Sequence, residues 1–267
     1  MAKPSSGDAR ELWELAKTLI WAVLIAIVVR TFAFEPFNIP SGSMIPTLLI
    51  GDYLFVSKTA YGYSHYSFPW GLAPFHGRIW EGEPKRGDVV VFRPPGDPDT
   101  DFIKRVIGLP GDRIQVKNGI LQINDKPVER KRIEDYVDTS SGTPVAIAQY
   151  IETLPNGVSH RIIESSGDNG QLDNTPVYVV PQGDYFMMGD NRDNSNDSRV
   201  WKGYMEPPMD QVIGDPALLD KVGFVPAQNL IGPAKILFWS YGDSFRGTNP
   251  LTWVTAVRWN RLLDFID

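Results

Sequence analysis

The stretch Ile39-Pro40-Ser41-Gly42-Ser43-Met44-Ile45-Pro46-Thr47-Leu48 sets two serine hydroxyls around a glycine, between prolines that stiffen the backbone. A Ser-Gly linker would be flexible and polar, whereas Ile39, Met44, Ile45 and Leu48 suit a segment built to be held in place. A serine hydroxyl becomes a useful nucleophile only with a base beside it. Neither the Gly-x-Ser-x-Gly elbow nor the Ser-x-x-Lys motif is present. A Ser–His–Asp triad has no signature here, and lysine is the other known kind of base.

Lys104 is the candidate base. It lies in Asp101-Phe102-Ile103-Lys104-Arg105-Val106-Ile107, which reads as a strand. Two-residue alternation puts Phe102, Lys104 and Val106 on one face and Ile103, Arg105 and Ile107 on the other. Both faces mix charge with large apolar groups, so the pattern suits a buried lysine or an exposed edge charge. Burial disfavours the ammonium form. Lowering its pKa from ~10.4 to ~8 needs roughly 3 kcal/mol of differential interaction.

A third polar segment is Met188-Gly189-Asp190-Asn191-Arg192-Asp193-Asn194-Ser195-Asn196-Asp197-Ser198-Arg199. A calcium loop starting at Asp193 fails, because Ser198 stands where glycine is required and Tyr204 where glutamate is. What remains is a solvated turn, or a knot of side-chain hydrogen bonds that orients a neighbouring site. The three histidines, His65, His76 and His160, have no metal-ligand spacing and read as solvated loop residues. No metal and no cofactor is implied. The absence of cysteine excludes disulfides and thiolate sites.

These segments must be positioned by β structure. Past residue 37, short runs of Val, Ile, Phe and Tyr alternate with Gly, Pro, Asn and Asp, with no long helical period before the C-terminus. Gly-Asp announces four strands: GDYLFV from Gly51, GDVVVF from Gly87, GDRIQV from Gly111 and GDYFMM from Gly183. Leu109-Pro110-Gly111-Asp112 fits a type II turn, and Asn118-Gly119 predicts a tight hairpin. The predicted fold is mainly β: a transmembrane helix within 1–36, an antiparallel catalytic core from 37–112 and 184–267, and a β-rich insertion over 113–183. Residues 251–266 could form a strand, a short helix or an element on the membrane surface. The 24 glycines and 22 prolines suit many turns, and the formal charge of −6 offers no electrostatic reason to bind nucleic acid.

The anchor is read from Thr18–Val29, an uncharged run of 12 residues flanked by Lys17 and Arg30, whose long side chains can reach the headgroups. Glu35-Pro36-Phe37-Asn38-Ile39-Pro40 follows, in place of a small-x-small cleavage site, which favours a retained anchor over a removed signal peptide. Lys3, Arg10 and Lys17 precede the span and favour a cytoplasmic N-terminus, although Arg30 on the far side dilutes the asymmetry.

Taken together, five segments resemble bacterial signal peptidase I: EPFNIPSGSMIPTLLIGDYLFV (35–56), KRGDVVVF (85–92), DFIKRVIGLPGDRI (101–114), MGDNRDNSNDSR (188–199) and GFVP (223–226). They occur in the family's order across about 190 residues. The resemblance implies a membrane-bound serine endopeptidase that removes signal peptides from exported preproteins after Ala-x-Ala-like sites. By that resemblance Ser43 is the nucleophile and Lys104 the general base. Ser41, with the Ser43 amide, forms the oxyanion hole, and Ser195 orients the lysine amine. Arg105, Asp190, Asp197 and Arg199 support the site structurally. Phe37, Ile39, Pro40, Met44, Leu48, Asp101 and Ile103 line the groove where substrate adds as a strand.

The implied setting is the bacterial inner membrane, crossed once, with the catalytic part on the outer, periplasmic side. Signal peptides and the lipid bilayer are the implied partners, with the export translocon as a candidate and nucleic acid excluded. About twenty residues, near Lys202 to Lys221, separate DSR from GFVP where the family usually has almost none, and no motif assigns them a role. The alternative is an inactive membrane-tethered β module that binds the export machinery. It would be expected to lack the serine or the lysine.

Overall fold

The computed structural model describes residues 6–64, 67, 77–95, 97, 99–140, 142–200, 223–242 and 254–266. His65, His76 and the segment 202–221 lie outside the described residues. The apolar run forms part of one long helix, α1 (Ser6–Phe32), and its stretch Arg10–Phe32 is long and apolar enough to cross a membrane. None of that stretch is buried against the rest of the protein. The helix ends before Pro36, and the chain continues extended.

After the helix come β1 (Phe34–Asn38), β2 (Asp52–Ser57), a short ribbon of β3 (Tyr63–Ser64) and β4 (Arg78–Ile79), then β5 (Val89–Phe92) and β6 (Phe102–Gly108). Eight strands follow: β7 (Arg113–Lys117), β8 (Ile120–Ile123), β9 (Lys126–Pro127), β10 (Glu129–Arg132), β11 (Tyr136–Asp138), β12 (Val145–Thr153), β13 (Ser159–Glu164) and β14 (Tyr178–Val179). The chain then returns through β15 (Asp184–Met188), β16 (Phe224–Pro226) and β17 (Leu230–Ser240). The fold is mainly β and antiparallel.

All four Gly-Asp pairs stand at the head of strands β2, β5, β7 and β15, and their glycines have φ of +82° to +98°. Those torsions let the chain turn sharply into a strand where a side chain would clash. Asn118 and Gly119 both take positive φ and close the β7–β8 hairpin, with Lys117 opposite Ile120. The segment 254–266 carries a short 3-10 turn, Trp259–Arg261, and runs along β17 through an isolated bridge between Phe265 and Ile236 and through backbone hydrogen bonds that include Leu263 N–H to the Leu237 carbonyl and Ile266 N–H to the Lys235 carbonyl.

A seven-stranded sheet runs in the order β1-β2-β17-β5-β6-β15-β16. The strands between Arg113 and Val179 form two other sheets, β14-β7-β8-β9 and β10-β12-β11, with β13 paired to β12. At the centre of the large sheet, β5 and β6 are covered on both faces. Val89 and Val91 pack with Ile39, Met44, Leu48 and Ile103, while Val90 and Phe92 pack with Val106, Tyr185 and Met187. A strand covered on both sides has no exposed face for a charge. That explains why Lys104 and Arg105, in the middle of β6, are buried.

Candidate active site

The Ser43 segment leaves β1 and crosses the face of the large sheet, anchored by the burial of Ile39, Met44 and Leu48 among the core residues. A second tie comes from Asn191, whose backbone N–H donates to the Ser43 carbonyl (3.1 Å) and whose Nδ2 donates to the Gly42 carbonyl (3.0 Å). Gly189 fits against this segment because it has no side chain. A Cβ there would stand 2.5 Å from the Ser43 carbonyl oxygen and 2.2 Å from Ser195 Oγ.

Lys104, only 3% exposed, donates from Nζ to Ser43 Oγ at 2.7 Å and to the Ile103 carbonyl at 2.9 Å. Burial pushes its pKa from 10.5 down to about 8, and the carboxylates of Asp197 and Asp190 pull it partly back up. A lysine so placed holds a substantial neutral fraction at mildly alkaline pH and can accept the proton of the hydroxyl it touches. Ser43 itself is 8% exposed, at the floor of a cleft of 620 Å³.

One wall of that cleft is made by Phe37, Ile39, Pro40 and Ser41. Another is made by Asp101, Phe102 and Ile103, and a third by Asn194 and Asn196. Ser41 is exposed on the first wall. Asp101 is held at the rim by Arg93, 3.0 Å away. Met44 and Leu48, expected in the groove, do not line it. Both are 0% exposed and fill the core beneath, because the segment needs apolar side chains on its inner side to be fixed in place.

Behind the lysine, the charged residues are paired. Arg105 grips Asp190 with Nε and a terminal nitrogen (3.0 and 2.9 Å) and donates to the Gly87 carbonyl. Thr47, four residues past Ser43, donates to the same carboxylate at 2.5 Å. Burial alone would raise the Asp190 pKa, but Arg105 and His160 hold it far below the usual carboxylate range. Asp197 is likewise kept ionised against burial by the Arg199 guanidinium and the Gly189 N–H.

Ser195, expected to orient the lysine amine, does not hydrogen-bond to Lys104. Its buried Oγ packs on Gly189, close enough to Asp197 to favour that carboxylate's charge, but completes no hydrogen bond among the described residues. The lysine amine is engaged instead by Ser43 and the Ile103 carbonyl.

His160 corrects the expectation of a solvated loop histidine. It is buried on β13, with its ring nitrogens 3.3 Å from Asp190 and 3.3 Å from Glu152. Glu152 in turn is clasped by Arg192 and, despite burial, held at a pKa of about 2 by that guanidinium and by His160. A chain of polar contacts therefore runs from Arg105 beside the site through Asp190 and His160 to Glu152 on β12. Glu152, His160 and the positioning role of Asn191 were not legible in sequence, since no local pattern marks a pairing between residues so far apart.

A mainly antiparallel β fold whose cleft holds a serine hydroxyl on a buried lysine amine has the equipment of a serine endopeptidase. The chain belongs to the signal peptidase family, peptidase S26, whose family model matches residues 12–239, and it is accordingly a serine endopeptidase of that family. Signal peptidase I of Rickettsia conorii is 39% identical over 97% of this chain and 93% of its own length. That of Rickettsia typhi is 39% identical over 91% of this chain and 89% of its own. A solved signal peptidase I from Enterococcus faecalis V583 aligns with 57% of this chain and 96% of its own, at 24% identity and a TM-score of 0.32. The apolar helix α1 fits a membrane-anchored member of the family.

Proposed function

We propose that this chain cleaves signal peptides from exported preproteins, with Ser43 as nucleophile and Lys104 as general base. The observation that carries this reading is the 2.7 Å contact between Lys104 Nζ and Ser43 Oγ, with a lysine pKa of about 8. Neutral Lys104 takes the hydroxyl proton as Ser43 Oγ attacks the scissile carbonyl carbon. The same amine, now an ammonium, hands the proton to the leaving amine, and water then releases the acyl-enzyme by the reverse sequence. The oxyanion is received by the Ser43 amide and the Ser41 hydroxyl.

Substrate lies extended between Phe37–Pro40 and Asp101–Ile103, whose apolar side chains suit small residues one and three places before the cut. That geometry supports Ala-x-Ala-like specificity. Helix α1 crosses the inner membrane once, with its N-terminus in the cytoplasm and the catalytic β core on the outer side. Residues 113–183 form an inserted β unit, whose Ile114, Val116, Leu121 and Leu154 pack with Ile107, Phe186 and Met188 of the core and whose His160 reaches Asp190.

The test is cleavage of an Ala-x-Ala preprotein by the detergent-purified chain. The wild type cuts at that site, while Ser43→Ala and Lys104→Arg do not, since a guanidinium cannot serve as base. An active Lys104→Arg enzyme, or a Ser43→Ala protein cutting the same bond, overturns the assignment.

A further inference from the structure

The loop 190–199 turns nearly all its polar side chains inward. Asp190, Asn191, Arg192, Asp193, Asp197 and Arg199 each have hydrogen-bond partners within the protein. Asn194 and Asn196 are different. Both line the cleft that holds Ser43 and Lys104, and among the described residues neither carboxamide has a partner. The loop cannot drift from the nucleophile, because the residue between Asp190 and Arg192 is tied to the Gly42 and Ser43 carbonyls.

The stretches Phe37–Ser41 and Thr100–Ile103 that line the cleft serve, on the proposed function, the residues before the cut. Chain leaving the nucleophile after the scissile bond needs a wall as well, and the wall not yet given a role carries two carboxamides. We propose that Asn194 and Asn196 are specificity-determining residues that read the first residues after the scissile bond. The inference rests on the proposed peptidase reading and adds a second half to its substrate site.

A carboxamide offers both a donor and an acceptor and no charge, so it recognises a small, uncharged, hydrogen-bonding side chain or a peptide group. An apolar side chain in the same place would cover both amides without satisfying them, and such an unpaired polar group is what discriminates most sharply. The substrate class this implies is a preprotein whose mature part begins with a residue such as Ser, Thr or Gln.

The experiment uses the full-length chain in detergent and peptides with one Ala-x-Ala site. One set varies the first and second residues after the cut, Ser or Gln against Leu. A second set varies the residue three places before it. The wild type should favour the hydrogen-bonding residues after the cut by about 2- to 10-fold in kcat/KM, the range of a typical net hydrogen bond. Asn194→Leu or Asn196→Leu should erase or invert that preference and leave selectivity before the cut intact. Asn194→Gln and Asn196→Gln, which keep the amide, should retain part of it.

Preference after the cut that persists in both leucine variants overturns the proposal. So does an equal loss on every peptide, or a wild type indifferent at those positions. A wild type that cleaves no peptide of either set overturns the peptidase reading itself, and this inference with it.

Discussion

Replacing Lys104 by methionine should abolish activity and yet make the folded protein more stable at neutral pH. The folded pKa of about 8 lies about 2.5 units below the 10.5 of an unburied lysine, equivalent to about 3.4 kcal/mol against the protonated folded form. Lys104 is almost fully buried, so solvent does little to reduce that figure. Methionine fills a similar volume but gives up the bonds to Ser43 Oγ and the Ile103 carbonyl, at about 1 kcal/mol each. The net expectation is that Lys104→Met stabilises by about 1–2 kcal/mol at pH 7.

The sign depends on pH. Between about pH 8 and 10.5 the unfolded chain binds the lysine proton and the folded one does not, so wild-type stability rises with pH through that window. Methionine has no such dependence. The difference between the two proteins should therefore move toward the wild type by about 3 kcal/mol across the window, and reverse sign near its middle, at about pH 9. Urea denaturation in detergent, followed by tryptophan fluorescence at pH 7, 8, 9 and 10.5, measures it. A difference that stays constant with pH, or a Lys104→Met protein less stable than wild type at pH 7, would refute the claim that burial sets this lysine's pKa.

With Ser41 in the proposed oxyanion hole, Ser41→Ala should lower kcat by about 10²–10³, or ~2.7–4 kcal/mol, with little change in KM, since such a donor acts mainly in the transition state. Steady-state kinetics on a single peptide decide this, and a rise in KM at constant kcat would make Ser41 a substrate-binding residue instead. Asp190→Asn leaves Arg105, which is 0% exposed, without its counter-charge and should destabilise by about 3–5 kcal/mol. A loss below about 1 kcal/mol in the same urea assay would show that other groups carry Arg105.

Much of this protein is written in short-range signals. The Gly-Asp pairs declare four strands because a positive φ followed by a turn-forming side chain is a property of two adjacent residues. The Asn118-Gly119 hairpin and the apolar helix are legible for the same reason: each depends on a few neighbours or on composition alone. Ser43 and Lys104 could be named as a pair by motif. Alternation along Phe102–Ile107 could not choose between a buried lysine and an edge charge, since the pattern does not say what flanks the strand. Only the packing on both faces of the sheet at β5 and β6 buries Lys104 and lowers its pKa.

The same limit explains the other differences. Whether Met44 and Leu48 face the substrate or the core depends on how the segment lies on the sheet. His160 is drawn between Asp190 and Glu152 by contacts that cross from the inserted strands to the loop after β15. Asn191 holds Gly42 across a separation of 149 residues. Backbone torsion preferences act over a few bonds and survive in any tertiary context, so they can be read locally. Burial, charge pairing and the direction of a side chain are fixed by residues remote in the chain, and folding alone brings those together.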